Sequence, residues 1–205
     1  MFNQYFISDN HYNEQSPMMF TGKRTIIVPI MFLVLLYSVA GFAEEARLTD
    51  IIITNTRDDL LIYLAVEGAF RPKMTEAVLS GVSTTFSFYI SLYKDRSLWF
   101  DKKIADLTVT HTVKFDRLKN EFTITRSWEK NPTVVTSLED AKKLMTHVDS
   151  LKVIALNRLV KGQQYQIRTR AKLSKLKLPP YLHYVLFFLS LWDFETDWYT
   201  MDFIY

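Results

Sequence analysis

Between positions 84 and 95 the side chains alternate. Phe86, Phe88, Ile90 and Leu92 fall on one side, and Thr85, Ser87, Tyr89, Ser91 and Tyr93 on the other. A period of two is the signature of a pleated strand with one buried face, so this stretch commits the chain to a sheet covered on one side and wet on the other. Related patterns recur at 48–54 and 60–67, at 104–115 and 122–128, and at 152–160 and 163–173. Asn55, Thr56, Arg57, Asp58 and Asp59 are turn formers and make the first pair a hairpin. The segment from Asp116 to Glu121 closes a second, and Lys161 with Gly162 a third.

Two helices interrupt this pattern. Pro72 suits a first helical position, Met74, Ala77 and Val78 share a face, and Gly81 supplies a left-handed stop. Ser137 with Asp140 three residues on starts a second helix, in which Ala141, Leu144, Met145 and Val148 recur at helical spacing as far as Ser150. The expected fold is α+β. It is mainly antiparallel sheet, as a sandwich or open barrel, with two or three short helices. The order hairpin, helix, hairpin occurs twice and suggests a duplicated architecture, although the halves share no residue pattern. No glycine-rich phosphate loop or regular β-α alternation is present, which disfavours parallel nucleotide-binding folds.

The amino terminus reads as an export signal. Lys23 and Arg24 precede the apolar run 26–39, and the small residues Ala40, Gly41 and Ala43 follow it. The segment 18–43 is therefore a signal peptide, or a signal anchor if it is not cleaved, and it directs residues 44–205 as one domain to the bacterial periplasm. Residues 1–17 fit neither part, and Met18 and Met19 offer an alternative start.

Composition narrows function. The chain has no cysteine, which removes disulfides and thiol chemistry. Its 25 basic and 22 acidic residues are too balanced for a nucleic-acid-binding face. No metal or cofactor motif and no hydrolase signature appears, and His147 and His183 have no ligand partners near them in sequence. No cofactor is expected, and an unrecognised hydrolase is the weakest of the functional readings.

Three constellations remain. If Phe115 faces Phe122 across the second hairpin, then Val113 faces Ile124 and His111 faces Arg126. This is either an internal polar pair or a grip for an anionic ligand, and it needs a carboxylate nearby, for which Glu67 and Asp149 are candidates. The cations Arg168, Arg170 and Lys172 line one side of a strand, and Asp193, Glu195 and Asp197 alternate similarly. Residues two apart on a strand stand about 6.6 Å from each other, so cross-strand ion pairs fit these strips better than a metal site does. Finally, the block 181–192 is apolar and aromatic but too short to cross a bilayer. Its Tyr181, Tyr184, Phe187, Phe188 and Trp192 belong to a core-covering helix, a buried strand, or a patch that docks on a partner or a membrane surface.

The segments EGAF at 67–70, SGVSTTFSFYISLY at 80–93, WFDKKIAD at 99–106 and SLWDFETDWYTMDFIY at 190–205 resemble the bacterial domain-of-unknown-function family 4390. The resemblance covers essentially the whole exported domain. It implies an exported protein without assigned activity, encoded near a membrane sensor kinase, and it supplies no catalytic residues. The reading reached is a non-enzymatic binding or interaction domain, accessory to a membrane signalling protein. A carrier of a hydrophobic or anionic ligand within the sheet is the alternative, and the oligomeric state is open.

Overall fold

The computed structural model describes residues 45–96, 100–174 and 195–205. The expected leader and the block carrying Tyr181, Tyr184, Phe187, Phe188 and Trp192 lie outside the described residues. Among those described, no helix is long and apolar enough to cross a membrane.

Strands β1 (Arg47–Asn55) and β2 (Asp59–Glu67) form the first hairpin. Its turn is tied by Thr56, whose hydroxyl accepts from the Asp59 amide at 3.0 Å. Helix α1 (Pro72–Leu79) follows, with Met74, Ala77 and Val78 buried. Gly81 ends it at φ +87°: its amide bonds to the Val78 carbonyl at 2.9 Å and that of Val82 to Ala77 at 3.1 Å. These two bonds satisfy carbonyls that the last helical turn would otherwise leave open.

Strand β3 (Thr84–Lys94) is the spine of the fold. Phe86, Phe88, Ile90 and Leu92 are all fully buried, and each contributes on the order of 1.5–3 kcal/mol through removal of apolar surface from water. The opposite face is drier than expected, because Ser87 and Ser91 are only 5% exposed amid longer neighbouring side chains. Strand β4 (Lys102–Asp116) pairs with β3 on one side and, through its second half, with β5 (Glu121–Arg126) on the other. A three-residue strand, β6 (Thr133–Val135), adds to β5. It is too short to leave a periodic mark.

Ser137 caps helix α2 (Leu138–Thr146) as expected, its hydroxyl accepting from the Asp140 amide. The helix stops sooner than its apolar spacing suggested. His147 already begins β7 (His147–Ala155), where Val148 points into the core as a strand residue. A second correction concerns pairing. β7 does not form a hairpin with β8 (Gln164–Ser174); it joins β2, while β8 lies between β3 and β9 (Tyr199–Ile204). A 3₁₀ turn at Leu156–Arg158 carries the chain from one sheet to the other. The third expected hairpin does not exist, and with it goes the repeated order that suggested duplication.

The result is α+β, with two antiparallel sheets ordered β1-β2-β7 and β6-β5-β4-β3-β8-β9. Their inner faces share one apolar core. Three strands cannot roof six, and α2 covers part of the excess by packing against β4, β5 and β6 as well as β2 and β7.

Candidate functional site

The register of β3 and β8 sets Tyr89 beside Arg170, Ser91 beside Arg168 and Tyr93 beside Gln166 on the outer face of the wide sheet. Long side chains two residues apart on adjacent strands lean over one another. The Arg168 guanidinium lies 4.5 Å from the centre of the Tyr93 ring, and Lys103 from β4 stands 5.7 Å from the same ring. The Arg170 guanidinium is held between Tyr89 at 5.1 Å and Trp198 at 4.5 Å.

The position of Trp198 was not legible in the alternation that marks the acidic strip. Thr196 bridges to Ala171: its amide donates to the Ala171 carbonyl at 2.9 Å, and its hydroxyl accepts from the Ala171 amide at 3.0 Å. Thr196 is buried, and residues 196–198 then leave strand geometry before β9 begins. That break turns Trp198 onto the outer face, where it is 49% exposed.

The two charge strips meet across strands at Glu195, while Asp193 lies outside the described residues. Glu195 binds Arg170 and, at 2.9 Å, Lys172. Hydrogen bonding from Lys172, and then the charges of both cations, hold its carboxyl below the ordinary glutamate value. Asp106 is held low in the same way, first by the Ser91 hydroxyl at 2.7 Å and then by Lys103 at 3.0 Å. Arg168 is bound more loosely. Its charge partner Asp101 stands 3.6 Å away, its side-chain hydrogen bond goes to the neutral Gln166, and its own side chain is 40% exposed. Tyr93, Gln166, Arg168, Trp198 and Thr200 line an open cleft of about 380 Å³. One cation, two aromatic surfaces and neutral hydrogen-bonding groups therefore converge on one shallow site.

His111 and Arg126 are registered opposite each other, with Val113 on Ile124 and Phe115 on Phe122. The imidazole is fully buried, its ring centroid 4.7 Å from that of Phe88 and 4.8 Å from that of Trp128. Nδ1 donates to the Met145 carbonyl at 3.0 Å, which leaves Nε2 as an acceptor without a partner. Burial, aided by the nearby Arg126 charge, lowers the pKa to about 4. The carboxylate that Arg126 requires is neither Glu67 nor Asp149 but Glu129, three residues along the chain. Its oxygens accept from Nε at 2.9 Å and from Nη2 at 2.8 Å. Glu67 pairs instead with Arg47. A local bidentate pair closed by the turn after β5 leaves no trace in strand alternation, and for that reason the wrong acids were expected. Among the described residues, no three His, Asp or Glu side chains gather as metal ligands.

The family described as "Domain of unknown function (DUF4390)" matches residues 43–202 of the chain. No curated protein and no solved structure matches it.

Proposed function

Because the chain belongs to the DUF4390 family, which supplies a domain but no activity, we propose that it is a non-enzymatic protein-interaction module of the bacterial envelope. In this reading it docks through the Tyr93–Arg168–Trp198 cleft. The observation that carries the proposal is the set of one exposed tryptophan, one half-buried tyrosine and one loosely paired, partly exposed arginine in a single cleft. Those three residue types dominate binding energy at protein interfaces, where rigid aromatic surface and a planar cation meet a partner at low entropic cost. The partner presents an acidic group to Arg168 and apolar groups to the two rings. A membrane signalling protein is the partner that the family resemblance implies, and export through residues 18–43 brings the domain to it.

Less supports the carrier alternative. The inward aromatic side chains pack on one another, Phe70 on Phe86 at 5.3 Å and Phe115 on Phe122 at 4.5 Å, and the fully buried His111 presents nothing to an incoming anion.

The test places a photoreactive amino acid at position 198 in living cells. The expected result is one dominant adduct with an envelope protein. When purified, that protein should lose at least tenfold in affinity on Trp198→Ala or Arg168→Glu, with melting unchanged. Absence of an adduct, or an affinity indifferent to both substitutions, would refute the reading.

A further inference from the structure

We propose that the open edge of β4 accepts an extended peptide from a partner protein, a strand with alternating aliphatic side chains and an acidic residue. The site lies apart from the outer-face cleft and does not depend on it.

Strand β5 pairs with only the second half of β4, and its last partner pair is Arg126 with His111. Just beyond, the Thr110 carbonyl accepts from the Ser127 amide at 2.9 Å, and the Thr110 amide donates to the Ser127 hydroxyl at 3.0 Å. Thr110 therefore turns its main-chain groups towards the β5 side. Successive residues of a strand alternate in this respect, so Thr108 and Asp106 direct theirs the same way. No described strand pairs with them there. The facing strand β7 is likewise the edge of its own sheet.

Between these two edges runs an open groove of about 760 Å³, lined among others by Ala105, Leu107, Trp128, Leu151, Val153 and Arg158. Its chemistry selects the occupant. Main-chain donors and acceptors repeating along a strand edge are satisfied by another extended backbone, and the apolar lining takes every second side chain of such a peptide. Charge selects further. Lys152 is paired with Asp59 at 2.6 Å, and Asp106 is held by Ser91 and Lys103. Arg158 is exposed and has no acidic partner within 4 Å among the described residues, so the groove wall carries an uncompensated positive charge. Lys102 and Lys103 at the start of β4, with the register shift opposite Leu92 and Tyr93, guard that end against indiscriminate sheet growth. The stretch from Ala105 to Val109 is left as the acceptor.

The probe is a randomised decapeptide library displayed on phage and selected on the full chain. Selection is expected to enrich acidic decapeptides with alternating aliphatic residues. The best of them, as a synthetic peptide, should slow hydrogen exchange of the Asp106 and Thr108 amides at least tenfold. Thr108→Pro removes an outward-facing donor without touching the ladder to β3 and should abolish binding. Arg158→Glu should weaken binding at least tenfold, and it carries the test if the proline variant does not fold. Three results would overturn the proposal: no saturable decapeptide; edge amides already protected in the free chain, which would mean that the chain covers its own edge; or a dimer that Thr108→Pro dissociates, which would make a second copy the occupant.

Discussion

His111 and Arg126 face each other across the β4–β5 ladder, yet each bonds elsewhere, the imidazole through Nδ1 to the Met145 carbonyl and the guanidinium to Glu129. The pair is thus a junction. It ties the last turn of α2 to the middle of β4, and the end of β5 to the turn beyond it.

Acid should loosen this junction before it affects anything else whose titration is displaced. In the unfolded chain His111 takes its proton near the ordinary value of 6.5, whereas in the folded protein it does so only near 4. Stability from the neutral imidazole is fully present above pH 6.5 and is lost progressively as the pH falls towards 4, to a total of about 3 kcal/mol. The carboxyls of Asp106, Asp116 and Glu195 are held below their ordinary values of 3.8 to 4.5, so their stabilisation is lost mainly below that range. Urea unfolding at pH 7, 5.5 and 4 checks the window. A His111→Gln protein should give a flatter profile between pH 6.5 and 4, and an unchanged slope would contradict the assignment.

Glu129→Gln leaves the Arg126 guanidinium, only 13% exposed, with a neutral partner in place of a charge. The expected cost is about 1–2 kcal/mol, between the values for exposed and fully buried pairs. Glu67→Gln breaks an exposed pair with Arg47 and should cost no more than about 0.5 kcal/mol. Parallel unfolding of the two variants gives the comparison, and equal costs would show that burial is not what sets the strength of the Arg126 pair.

At Gly81 the substitution to alanine should cost about 1 kcal/mol. The reason is conformational rather than steric: φ is +87°, while the nearest atom to an added Cβ, the Phe115 carbonyl oxygen, is a comfortable 3.8 Å away. Thermal unfolding of Gly81→Ala measures this, and a neutral result would mean that the helix stop can relax.

Local chemistry was the readable part of this sequence. The hairpin turn at Thr56, the proline start and glycine stop of α1, the Ser137 cap and the His111–Arg126 register each depend on a few neighbouring residues, and each appears where spacing placed it. Partner choice between distant strands was not readable. Residues 147–155 and 164–174 look like neighbours in sequence, but Leu60 and Phe86 claim them from different sheets. The early start of β7 was hidden because Leu144, Met145 and Val148 satisfy a helical period while Val148 serves equally well as an inward strand residue. The outer-face cleft was half legible. The tyrosines and arginines lay on predictable faces, whereas Trp198 arrives through a break in alternation that no periodic pattern encodes.

The pairing of Leu60 with Ile154 and of Phe86 with Leu173 has a consequence for biosynthesis. Strands made early gain their second neighbours only from the last third of the chain, so neither sheet can be completed while that part is still being translated. Such a nascent polypeptide stays open until late and matures slowly, because its decisive closures join strands far apart in sequence.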